Sequence, residues 1–132
     1  MEVIHIHSSC QTEFIDITNR VDEALRKLKV TDGICYIYVP HTTAGVTINE
    51  SADPSVRKDI AMALDRMVPS DQPYSHGEGN SPAHIKAALV GPSVSIFVES
   101  GRLVLGNWQG IYFCEFDGPR NRRVYVKVIG QP

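Results

Sequence analysis

Several protein classes are argued against by what this chain has little of. Its 132 residues include three cysteines and one tryptophan, and acidic and basic side chains nearly cancel to a formal net charge of -2. Cys10, Cys35 and Cys114 are an odd set with no Cys-x-x-Cys pair and no secretory leader ahead of them, so a reducing, cytoplasmic setting is expected. No apolar run approaches the roughly 20 residues of a membrane span, which predicts a soluble chain with no membrane partner. The charge balance gives no reason to expect a nucleic-acid partner, and the local cluster Arg120, Arg122, Arg123 and Lys127 reads as a surface patch. Internal repeats, low-complexity tracts and targeting tails are also missing.

The length suits one domain over residues 1–132 that buries very roughly two-thirds of its unfolded surface. Glu2 to His7 and Glu13 to Ile17 read as strands. Val21, Ala24, Leu25 and Leu28 then recur at helical spacing, with Thr18 as the expected cap and Asp32-Gly33 as the following turn. Ile34 to Val39 reads as a strand buried on both faces, with Cys35 as a small core residue, and Gly45 to Asn49 as another strand. Asp53 and Pro54 suit the start of a helix whose stripe is Val56, Ile60, Leu64 and Met67. A polar loop over 68–80 leads to a short helix from Pro82 to about Val90, stopped by Gly91-Pro92. Two hairpins follow: Val94 to Glu99 with Arg102 to Asn107, then Ile111 to Phe116 with Arg122 to Ile129. Three helices among seven or eight strands joined by tight turns predict an α+β domain with a mainly antiparallel, curled, sandwich-like sheet.

The richest stretch for chemistry runs from His76 to Lys86: His-Gly-Glu-Gly-Asn-Ser-Pro-Ala-His-Ile-Lys. Ser81 is the expected N-cap and Pro82 the first helical residue, which places His84 in the first turn, where free amides and the helix dipole favour an anion. His41, at a strand end before Thr42 and Thr43, is the third histidine expected at this site; alone, it reads equally as a satisfied, half-buried histidine. Together His41, His76 and His84 can be read as ligands of a divalent metal, zinc or magnesium, although no His-Glu-x-x-His signature is present. Glu78 is the carboxylate expected to face a ligand, Glu50 a site base or a strand-end charge, and Asp53 a cap. Gly79, Asn80, Ser81, Lys86, Thr42 and Thr43 supply donors for phosphate oxygens. Trp108, with Gln109 between glycines, can stack on a ligand ring or fill a core or interface. Glu115 on an apolar strand needs a partner, for which the nearby arginines are the candidates.

Taken in order, these segments resemble the YjbQ-like family. The resemblance is carried by His41-Thr42-Thr43-Ala44-Gly45, Thr47 to Glu50, Asp53-Pro54, His76, Glu78-Gly79-Asn80, Pro82 to Lys86, Gly101-Arg102, Gly106, Trp108 to Ile111 and the arginine-rich last hairpin, nearly end to end. It implies a homotrimer with sites at or near subunit boundaries, no organic cofactor, and a small phosphorylated ligand. A secondary thiamine-phosphate synthase activity is attributed to the family, which implies a transferase joining hydroxymethylpyrimidine diphosphate to thiazole phosphate with loss of pyrophosphate. Two rival readings remain: a metal-assisted hydrolase of small phosphorylated compounds, with Glu78 or Glu50 relaying a proton, and a trimer that binds such a ligand without turning it over.

Overall fold

A computed structural model describes residues 1–132. Two antiparallel sheets face each other. The larger runs β1 (Glu2–His7), β8 (Asn121–Gln131), β3 (Asp32–Tyr38), β5 (Ser93–Glu99) and β6 (Arg102–Leu103); the smaller runs β2 (Glu13–Asp16), β7 (Gln109–Glu115) and β4 (Ala44–Glu50). Alternating side chains fill the space between them: Ile4 and Ile6, Cys35 and Ile37, Ile96 and Val98, and Val124 and Val126 meet Ala44, Val46, Ile111 and Phe113. The helix α1 (Thr18–Leu28) adds Val21, Ala24 and Leu25 to that core and touches strands of both sheets. This is the expected α+β class.

The strand β7 is buried on both faces. Ile111 and Phe113 point into the main core, while Tyr112, Cys114 and the following Phe116 form a second cluster with Leu64, Ala83 and Ala87. Those last three come from α2 (Pro54–Met67) and α3 (Ser81–Val90), which cover the outer face of the smaller sheet. The outer face of the larger sheet has no such cover and exposes Val3, Tyr36, Tyr38, Phe97 and Ile129.

The structure corrects several local expectations. Asp32 and Gly33 are not a turn but the first residues of β3, where Gly33 faces Gly130 of β8. A Cβ on Gly33 would lie 2.1 Å from the Ile129 carbonyl oxygen, so close backbone approach accounts for the glycine. β3 is buried on one face only, since Cys35 and Ile37 point inward and Tyr36 and Tyr38 outward. Thr18 does not cap α1: it is the first helical residue, and the Asp16 carboxylate accepts its N–H and hydroxyl at 2.9 and 2.6 Å. Asp53 does cap α2, accepting the Ser55 N–H. The α2 stripe is shallower than expected, because only Leu64 of the four is buried and Met67 is 64% exposed. Arg102 to Asn107 makes just two residues of strand; the Leu105 N–H then turns back to the Leu103 carbonyl and ends the extended run.

Candidate functional site

The first turn of α3 sits where three segments meet. Gly45, at the start of β4, lets the far end of the helix settle on the sheet, since a Cβ there would lie 2.6 Å from the Gly91 carbonyl oxygen. Val46 then donates its N–H to that oxygen at 3.1 Å. Ser81 is the first helical residue rather than the cap, and Asn80 holds the cap position without a side-chain capping bond. The Asn80 amide is engaged elsewhere: its Nδ2 donates to Asp117 at 2.9 Å, while its Oδ1 is buried with no partner.

A cleft of ≈ 410 Å³ opens beside this turn. His41, Thr42 and Thr43 come to it from the loop before β4, His76, Glu78 and Asn80 from the polar loop, and His84 from α3. The last hairpin adds Asp117, Arg120 and Arg122, and Pro40 is the one apolar side chain in the lining. The three histidines expected to share a site therefore do line one cleft. His76 and His84 pack edge to face with ring centroids 5.2 Å apart.

His41 is held differently. Its Nε2 accepts the Arg123 backbone N–H at 2.9 Å, a bond an imidazolium nitrogen cannot accept. Burial lowers its pKa, and the charges of Arg122 and Arg123 lower it further. The neutral ring therefore carries its proton on Nδ1, as a donor. This does not suit a metal ligand, and no three His, Cys, Asp or Glu side chains of the chain are grouped to hold a metal ion. Within one chain, His41, His76 and His84 share a cleft but not a coordination sphere.

A buried ion pair fixes the floor of the cleft. Arg122 alternates with Val124 and Val126 on the inward face of β8, and its guanidinium donates through Nε (2.9 Å) and Nη2 to both carboxylate oxygens of the fully buried Glu115. Nη2 also donates to Thr43 Oγ1 at 2.8 Å. Burial alone would raise the Glu115 pKa, but bonds from Arg122, the Ser8 hydroxyl and the Asp117 N–H outweigh it and hold the carboxyl below its ordinary value. Arg120 in turn pairs with Asp117 at 2.9 Å. The sequence reading missed Asp117, Arg120 and Arg122 as cleft residues. For Arg122 a signal was present, because period-two alternation with Val124 and Val126 places it inside.

Other expected residues lie outside this cleft. Lys86 is buried two helical positions beyond His84 and is ion-paired with Asp65 of α2. With Gly79 it lines an adjoining cleft of ≈ 550 Å³ that shares Glu78, Asn80 and Asp117 with the first. Ser81 lines a groove on the other side of the His76–His84 pair. Glu50, Trp108 and Gln109 are farther away. Glu50 pairs with Gln109 at the last register position of β4 and β7, six residues from Ala44, which is about 20 Å of strand. There the Glu50 carboxylate accepts the Ala52 N–H, Gln109 Oε1 accepts the Gly106 N–H, and Trp108 stands 66% exposed. Within a single chain, then, Glu50 as a site base and Trp108 as a stacking surface do not reach the histidine cleft. Cys10 is exposed, whereas Cys35 and Cys114 are core residues: burial pushes the Cys35 thiol up to about 11, with the charge of Asp22 adding to it, and burial pushes the Cys114 thiol up to about 12. Neither supplies a thiolate at neutral pH.

The family described as UPF0047 protein YjbQ-like matches residues 2–131. A UPF0047 protein of Methanocaldococcus jannaschii is 54% identical over 125 residues, covering 95% of this chain and 91% of its own. The UPF0047 protein YugU of Bacillus subtilis is 49% identical over 131 residues, covering 98% and 99%. Among solved structures, a YjbQ/UPF0047 protein from Clostridium acetobutylicum superposes with a TM-score of 0.96 at 53% identity, over 98% of this chain and 100% of that one. A YbjQ-like protein from Sulfolobus solfataricus does so with a TM-score of 0.95 at 32% identity, over 98% and 96%.

Proposed function

The chain belongs to the UPF0047 YjbQ-like family, and from that premise we propose that its histidine cleft is the site of a transferase of the secondary thiamine-phosphate synthase kind. In that reaction hydroxymethylpyrimidine diphosphate and thiazole phosphate join and pyrophosphate leaves. The observation that carries the reading is a predominantly polar cleft lined by three histidines from three separate segments, beside the first turn of a ten-residue helix. His41 Nδ1–H and the Thr42 hydroxyl donate to phosphate oxygens. The unprotonated thiazole nitrogen bonds to the methylene carbon as the carbon–oxygen bond to pyrophosphate breaks; His84 gives a proton to the departing pyrophosphate, and Glu78, exposed at the rim, offsets the positive charge that forms on the thiazolium. No metal enters these steps.

The cleft lacks an aromatic face for the two flat rings. We assign that part to a second copy of the chain in a homotrimer, whose Glu50, Trp108 and Gln109 end meets the histidine cleft of its neighbour. Two features support this: Trp108 is exposed, and the outer face of the larger sheet offers Tyr36, Tyr38, Phe97 and Ile129 for contact between copies. The test is formation of thiamine phosphate from the two substrates. His84→Ala should cut the rate by about 100-fold or more, and an unchanged rate overturns the assignment. Trp108→Ala should also be slow, whereas co-expressing the two variants should restore part of the rate, since some boundaries in a mixed trimer hold both intact residues. No recovery on mixing overturns the composite site.

A further inference from the structure

The structure points to a second site, at the opposite end of the fold from the histidines: we propose that the cleft between α1 and the β5–β6 hairpin binds a small phosphorylated anion through Arg26 and Arg102. Its volume of ≈ 410 Å³ suits a metabolite-sized ligand. Thr18, Asp22 and Arg26 stand one helical turn apart on α1 and form one wall, while Ser100 to Leu103 form the other. The hairpin wall is firmly shaped. Ser100 and Gly101 both have positive φ, 52° and 73°, as a tight two-residue hairpin turn requires, and Glu99 pairs with Arg102 across it.

The charges distinguish this cleft. The ion pairs of the chain are Lys27 with Glu2, Lys86 with Asp65, Arg120 with Asp117 and Arg122 with Glu115. Arg26 and Arg102 are in none of them. Asp22 lies four residues before Arg26, a spacing that permits an ion pair, yet the pair does not form. Two unpaired guanidinium groups thus face one cleft from separate elements. A dianion that both can grip in bidentate fashion satisfies them, which favours phosphate or pyrophosphate oxygens. Asp22 then accepts from a hydroxyl or amino group on the same ligand, and Leu103 and Leu105 provide a short apolar contact.

The inference concerns binding alone, so its failure and that of the transferase reading are separate results. Inorganic pyrophosphate titrated into the full-length protein should give saturable amide shifts at Gly101, Arg102 and Leu103 in ¹H–¹⁵N spectra. Arg26→Gln and Arg102→Gln should each weaken that binding by about tenfold or more, as expected for loss of a charged hydrogen bond. Asp22→Asn should tighten it by about threefold, because a repelling carboxylate is removed from beside an anion that offers it no donor. The proposal is overturned by the absence of saturable shifts there, by equal shifts from chloride at matched ionic strength, or by a dissociation constant that neither glutamine variant moves.

Discussion

The two ends of β3 treat their charges in opposite ways. Where β3 leads into β4, Arg122 is locked to Glu115 and Thr43, Arg120 to Asp117, and Asp117 to Asn80. Where β3 begins, beside Thr31, whose carbonyl accepts the Gly101 N–H, Arg26 and Arg102 face a cleft with no partner. Pairing at the histidine end holds the backbone in place but leaves no free guanidinium for a ligand. At the arginine end the charges are free, but little besides a helix face and a hairpin turn holds them. One end is built for geometry, the other for attraction.

The largest effect should come from breaking the buried pair. Glu115→Ala leaves Arg122 charged and without its main partner inside the core, and should cost about 3–5 kcal/mol in urea unfolding. Arg26→Ala or Arg102→Ala should stay within about 0.5 kcal/mol. Replacing both partners, as Glu115→Met with Arg122→Leu, should recover most of the loss; if it does not, the pair contributes more than its own satisfaction. The pH dependence follows from the sign of the shift. Because the folded Glu115 pKa is depressed, its contribution is fully present above the unfolded value of about 4.3. It is lost as pH falls through the lower folded value. The gap in stability between wild type and Glu115→Gln should therefore narrow in acid and stay constant from pH 5 to 7.

How much of this contrast the sequence held depends on range. Strands, helices and the Ser100-Gly101 turn follow from periodicity and turn chemistry, which are local. Asp32-Gly33 misleads because the glycine answers a strand 97 residues away, Gly130, rather than its neighbours. At the site, the grouping of His41, His76 and His84 was expected from residue type and from His41's place at a strand end, although no spacing rule joins three separate segments. The misplacement of Glu50 and Trp108 has a plain cause: β4 carries the chain about 20 Å away from His41, and a motif in linear order does not record that distance. Arg122 was readable from its alternation with Val124 and Val126. Arg26 was not, because a basic residue in the last turn of a helix is ordinary dipole chemistry.

A middle-sized effect separates the histidines from one another. His41 should titrate below the ordinary histidine value of about 6.5, because burial and then the charges of Arg122 and Arg123 disfavour its imidazolium. Its contribution to stability is thus present above about pH 6.5 and is lost as pH falls through the folded pKa. In Arg123→Gln the midpoint measured by NMR should rise, since one of those charges has gone. A midpoint for His41 at or above the ordinary value would mean that the paired end does not control its own histidine.

The smallest effect concerns Lys86, which sits between the two kinds of behaviour. It is a buried cation next to a ligand-sized cleft, as the arginine end would suggest, yet it is paired, as at the histidine end. Its partner Asp65 is 63% exposed, so the carboxylate is left in water when the cation is removed. Lys86→Met keeps the aliphatic stem packed on α2 and discards the charge, and should change stability by less than about 1 kcal/mol. The informative measurement is the Michaelis constant for the diphosphate substrate in that variant. If Asp65 already satisfies the ammonium, the constant should stay within about twofold, roughly the worth of a distant screened charge. A rise of tenfold would show that Lys86 leaves Asp65 for the ligand, and that the division between a paired end and a free end does not hold at this helix.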